Sequence, residues 1–142
     1  MQMRKLLPVT VVAAFAFALA GCTVTGPTEN FSGLPELEHG STEHPEDGVD
    51  GIQAFWLQEG SQIAVSIPGS SGCPIIGSDI KVLEPRGEGN SVEIVTVPIP
   101  DDTICTMDLV PHTSVFWTPA NITTTEPVSI LVDGQEIELE TK

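Results

Sequence analysis

The sequence predicts an all-β domain over residues 52–142, a small antiparallel β-sandwich of about seven short strands. Three observations carry that prediction. Ile and Val together number 21 in this stretch, with 9 Thr, against 5 Leu and 3 Ala, and an excess of β-branched side chains favours the pleated backbone over the helix. Apolar residues recur with a period of two, and no segment shows a 3.6-residue period. Clusters of Pro, Gly, Ser and Asp fall between the periodic runs, where turns are needed.

The elements follow in order. Ala54 to Leu57 reads as a first strand. In Gln62 to Ile67 the residues Ile63, Val65 and Ile67 share one face. Pro68 to Gly72 is a turn, and Asp79 to Glu84 alternates again. After Pro85 to Asn90, a strand begins at Ser91 with Val92 and Ile94 in phase, and Val95 and Val97 change phase, which predicts a bulge. Thr106 to Val110 and Ser114 to Thr118 are read as two further strands. The final hairpin is the best specified: Val128 to Val132 and Gln135 to Glu140 flank Asp133-Gly134, the signature of a type I′ turn with positive φ at both central residues. A two-residue loop sets Val132 opposite Gln135, Ile130 opposite Ile137 and Val128 opposite Leu139, so the apolar partners fall on one face. The strand count also fits an immunoglobulin-like topology. Trp56, Trp117, Phe55 and Phe116 are read as core or edge packing.

Ahead of this domain lie two stretches of different chemistry. Residues 1–21 carry Arg4 and Lys5, no acid, and an apolar run from Leu6 to Leu19. That run is shorter than the ~20 residues a membrane-spanning helix requires, and with its charged start and small-residue end it reads as a secretory signal peptide. Leu19-Ala20-Gly21-Cys22 resembles the lipobox of bacterial lipoproteins. The resemblance implies cleavage before Cys22, a diacylglyceryl group on its thiol, and a mature protein anchored at the outer face of the cytoplasmic membrane. Two acyl chains anchor stably without help from basic residues. Residues 22–51 hold seven acids and no base, and so little apolar surface that they read as a lipidated, flexible acidic tether holding the domain off the membrane. Within it His39 and His44 sit among carboxylates, and Asp47 to Gly51 superficially resembles a calcium loop; neither has the ligand spacing of a metal site, and both read as solvated linker.

The 142-residue chain has a formal charge of −15, which becomes −17 without Arg4 and Lys5. Such a balance excludes a basic nucleic-acid-binding surface, and a 91-residue domain is too small for a two-lobed solute receptor. Cys73 and Cys105 remain in an exported domain, where thiols oxidise. Without a Cys-x-x-Cys redox spacing they read as one structural disulfide, closing a loop worth roughly 3–4 kcal/mol in the chain-entropy treatment.

Gly69-Ser70-Ser71-Gly72-Cys73-Pro74, with Cys105-Thr106-Met107-Asp108-Leu109-Val110-Pro111-His112 thirty residues on and Trp56 upstream, is similar to small secreted β-domains of actinobacterial lipoproteins. That resemblance covers residues 54–118 and implies a lineage and a disulfide, but no reaction.

No phosphate-cradling glycine loop, dinucleotide fingerprint or metal-ligand cluster is present in the sequence. His112 is the domain's one histidine, with Asp108 and Ser114 near it in sequence; it reads as a strand-edge residue. Asp101-Asp102 and Glu84/Glu88 are read as turn acids. The expectation is a lipid-anchored extracytoplasmic binding or cell-envelope accessory protein with no catalytic residues, no metal and no cofactor, partnered by the membrane through Cys22 and by an envelope protein or ligand. The alternative is a small hydrolase or metal-handling protein using His112 and nearby carboxylates.

Overall fold

A computed structural model describes residues 23–37 and 51–142. The signal sequence, Cys22, His39, His44 and the Asp47 to Gly51 motif up to Asp50 lie outside the described residues. Eight strands form two four-stranded sheets: β1 (Glu29–Ser32), β2 (Gln53–Leu57), β3 (Gln62–Gly69), β4 (Gly77–Glu84), β5 (Ser91–Thr96), β6 (Val110–Trp117), β7 (Val128–Val132) and β8 (Gln135–Leu139). The first sheet has the order β1-β6-β3-β2 and the second β4-β5-β7-β8. The all-β sandwich expected from the β-branched composition is therefore the fold.

Between the sheets lies a core of Ile63, Val65, Ile67 and Phe116 from the first and Ile80, Val92, Ile94, Val128, Ile130 and Val132 from the second, with Ile122 and Leu139. These are the in-phase residues of the periodic runs, and their burial supplies the main driving force. At Gly77 the two sheets approach so closely that an added Cβ would stand 2.7 Å from Phe116 Cζ and 3.0 Å from Ser114 Cβ. The final hairpin has the register the sequence specifies, including Val132 opposite Gln135 and Ile130 opposite Ile137. Asp133 and Gly134 both have positive φ, 48° and 80°, as a type I′ turn requires.

Four expectations are corrected. Residues 23–37 are not an open tether. Thr25 C=O accepts from Ile80 N–H on β4 (2.9 Å), Thr28 N–H donates to Val115 C=O on β6 (2.7 Å), and Glu29–Ser32 pairs antiparallel with β6. This segment has too few apolar residues to announce itself as a strand; backbone hydrogen bonds and one polar pair, Ser114 Oγ donating to Asn30 Oδ1 (2.6 Å), hold it. It carries Phe31 and Leu37 onto the outer face of the first sheet, where they cover Phe55, Ala64 and Val115 in a second small cluster. That is why β3 is buried on both faces over Gln62–Ile67 instead of alternating.

Thr106 to Val110 is not a strand: β6 begins at Val110, and the preceding residues form a loop. The register irregularities lie on β4, between Gly77 and Asp79 and between Val82 and Glu84, rather than at Val95. Lastly, β5 and β7 run parallel, which separates the topology from the immunoglobulin arrangement. A parallel pair needs a long crossover, and residues 97–127 make it by way of β6 in the opposite sheet.

Candidate functional site

The loop from Val97 to Leu109 joins β5 to β6 at one end of the sandwich. Along it Val97, Ile99, Ile104, Met107 and Leu109 all expose large apolar side chains, Ile104 and Met107 almost completely, at 94% and 106%. Exposed apolar groups gathered on one short segment, unlike single scattered ones, mark an interaction surface.

The loop is fastened at several points. Val97 N–H donates to Ile76 C=O (2.8 Å) and Thr103 N–H to Pro100 C=O (3.0 Å). Cys105 is joined to Cys73 by a disulfide, with 5.3 Å between the Cα atoms; Cys73 is buried and Cys105 exposed. Around this bridge the Gly69–Gly72 turn and Thr106–Asp108 form a polar clasp. Asp108 Oδ1 accepts from Ser71 N–H (3.0 Å) and from the Thr106 hydroxyl (2.6 Å). A carboxylate can only accept, so Thr106 is the donor there and its oxygen takes the Gly72 N–H (2.9 Å) and the Ser70 hydroxyl (2.7 Å). Hydrogen bonds from the Ser71 side chain, the Thr106 side chain and the Ser71 backbone lower the Asp108 carboxyl to about 2. So acidic a carboxylate is a poor proton acceptor at neutral pH. Asp108 is a clasp for the loop.

His112 does not meet the residues the hydrolytic alternative requires. On β6 it stands opposite Ile67 of β3 and Ser32 of β1. Both ring nitrogens are buried without a hydrogen-bond partner among the described residues, and burial pushes its pKa below the ordinary histidine value. Ser114, two residues along, donates to Asn30 and accepts from Gly77 N–H (2.8 Å). Asp108 belongs to the clasp. Asp101 and Asp102 lie in a turn of the exposed loop, Glu84 ends β4, and Glu88 sits in the turn after it. Among the described residues no group of three or more His, Cys, Asp or Glu converges on a point where a metal could sit.

A cleft of about 570 Å³ occupies the opposite end of the sandwich, lined by Thr23 to Thr25, by Ile80 to Val82 of β4 and by Trp117 to Asn121 after β6. Phe116 and Phe55 are buried and Trp56 half-buried, as packing residues should be. Trp117 departs from that reading, with 46% of its surface exposed on the cleft wall. β6 runs from the clasped loop to the cleft, a rise of roughly 23 Å at ~3.3 Å per residue.

Sequence reasoning reached the disulfide but not the display of Ile104 and Met107, because Thr106 to Val110 has the composition of a strand. The two consecutive X-Pro steps at Pro98 and Pro100 with Asp101-Asp102 were the signal that the chain leaves the sheet there. Comparison with protein-family models, with curated proteins and with solved structures found no match.

Proposed function

We propose that this protein is a lipid-anchored extracytoplasmic binding module, non-enzymatic, held at the outer face of the bacterial cytoplasmic membrane through Cys22 and engaging an envelope protein through the loop from Val97 to Leu109. The observation that carries the reading is the display of Ile104 and Met107 on a loop fixed by a disulfide and by the Asp108 clasp. An apolar pair held rigid before contact loses little conformational entropy on binding, and a partner that buries both gains their full transfer energy. The lipobox-like Leu19-Ala20-Gly21-Cys22 and the export-compatible disulfide support the location.

Site-specific photo-crosslinking tests this in cells. A photoreactive side chain at position 104 or 107 should give one discrete crosslinked species that the same group at Glu136, on the exposed face of β8, does not give. Ile104→Asp with Met107→Asp, fully exposed substitutions that leave the fold intact by circular dichroism, should abolish the association in a native co-purification. Equal crosslinking from positions 107 and 136, or undiminished association in the double variant, would refute the assignment.

A further inference from the structure

The cleft at the other end of the sandwich is the second concave, partly apolar surface, and its position relative to Cys22 gives it a meaning. Thr23, the residue after Cys22, lines it. Thr25 is already bonded to β4 through Ile80 N–H. Only Thr23 and Val24 therefore separate the anchoring cysteine from a residue fixed to the fold, and at most ~3.6 Å per residue places Cys22 within about 11 Å of Thr25. A diacylglyceryl group on Cys22 leaves no room for a long spacer. It draws this end of the sandwich to the bilayer and leaves the Ile104 and Met107 loop at the far end.

What would meet the membrane fits it. Val24 and Trp117 are 69% and 46% exposed, and with Ile80, Val82 and Pro119 they make a largely apolar wall; no Asp or Glu lines the cleft, and Lys81 does. Tryptophan favours the headgroup level of a bilayer, where its ring is half in hydrocarbon and its N–H remains wet. A lysine stem crossing apolar surface with its ammonium outward suits a phosphate above acyl chains. The acid excess of the chain as a whole repels anionic headgroups, and the cleft is a place from which those acids are absent.

We propose that this cleft is a membrane-docking site that receives a glycerophospholipid of the bilayer in which Cys22 is anchored, with acyl-chain segments against Trp117, Val24 and Pro119 and the phosphate at Lys81. This rests on the lipid-anchor reading of Cys22, and the two can be separated by experiment.

The test uses the full chain, purified from membranes in detergent and reconstituted into phosphatidylglycerol–phosphatidylcholine vesicles whose chains are brominated at shallow acyl positions. Its intact mass reports the diacylglyceryl group. With Trp56→Phe making Trp117 the sole indole, seating about 5–10 Å into the headgroup and acyl boundary should lower Trp117 emission by roughly half relative to unbrominated vesicles. Lys81→Glu should restore most of that emission while the protein stays in the vesicle fraction. A mass without the lipid overturns both the anchor and the docking site. A lipidated protein whose Trp117 emission ignores bromination, or whose quenching is untouched by Lys81→Glu, overturns the docking site alone and leaves the anchor standing.

Discussion

Opening the Cys73–Cys105 bridge separates the entropy of the loop from the packing around it. Cys105→Ser is the informative substitution, because Cys105 is exposed while Cys73 is buried at 6%; the single change leaves the Cys73 sulfur filling its own site and removes only the crosslink. The bridge joins residues 32 apart in sequence, and closing a loop of that length withholds roughly 3.5–4 kcal/mol of entropy from the unfolded chain. Set against a typical domain stability of about 5–15 kcal/mol, that is a large share. With a urea dependence near 1–1.5 kcal/mol/M for a domain of this size, the unfolding midpoint of residues 23–142 should fall by roughly 2.5–3.5 M. The assay is equilibrium unfolding followed by tryptophan emission and, independently, by far-ultraviolet circular dichroism. A second readout is local. Amide exchange should quicken over residues 97–109, where few backbone hydrogen bonds hold the chain, while β3 and β7 keep the protection allowed by the lower global stability. A midpoint shift below about 0.5 M with an unchanged slope would refute the loop-entropy argument. Unchanged exchange in the loop would refute the claim that the bridge fixes the display of Ile104 and Met107.

Three further outcomes follow from single residues. Asn90 is buried, its amide N–H groups reach the carbonyls of Thr123, Glu126 and Pro127 and its Oδ1 accepts from Thr123 N–H, so Asn90→Ala orphans polar groups on the segment before β7 and should cost about 2–4 kcal/mol in urea unfolding. Asp108→Ala removes the acceptor of the clasp and should speed chymotryptic cleavage at Met107 and Leu109 with the disulfide still intact, read by mass spectrometry of the nicked protein. His112 is held neutral by burial, its pKa lowered in the folded state, so the unfolded chain takes up the proton first as pH falls below about 6.5. Its contribution is present in full above that value and is lost as the pH falls through the folded pKa; His112→Phe should therefore lose less stability than the parent protein between neutral pH and pH 5.5, measured as the change in urea midpoint.

The elements legible in the sequence were those whose signal is local. The hairpin of β7 and β8 needed only Asp133-Gly134 and the facing positions of Ile130 and Ile137. β3, β4 and β5 announced themselves through a two-residue period, and the disulfide through its compartment and an even cysteine count. What escaped was decided by contacts distant in sequence. β1 is a strand because β6, over eighty residues away, offers it a backbone edge, and its own four residues contain one buried-facing apolar group, Phe31. The same late-arriving segment explains why β3 departs from alternation, since Ala64 and Ser66 point to a face that only residues 31–37 cover. Conversely, Thr106 to Val110 has strand composition and no strand to pair with. Its hydrogen-bonding capacity goes to side chains, with Thr106 and Asp108 binding the Gly69–Gly72 turn.

The charge of the chain takes on a different sense once these contacts are in place. An excess of acids spread over an extended tether would hold a domain away from its membrane, but Thr25 is bonded to β4 and Glu29 is paired with β6, so that half of the presumed tether belongs to the sandwich. The cations left after Cys22 are Lys81, Arg86 and Lys142. Lys81 lines the cleft, Arg86 N–H donates to Asn121 C=O at its rim, and Lys142 N–H donates to Thr124 C=O while its ammonium pairs with Glu59 (3.4 Å). All three thus lie toward the end where the chain emerges from Cys22. The clasped loop at the other end has Asp101, Asp102 and Asp108 beside its exposed apolar groups and no cation. Glu59, Glu84 and Glu88 keep the first end from being basic as a whole, so attraction to phosphate there has to be a local property of the cleft. A sandwich polarised in this way would carry its lipid at one pole and its apolar recognition loop at the other, with β6 as the rigid strut between them.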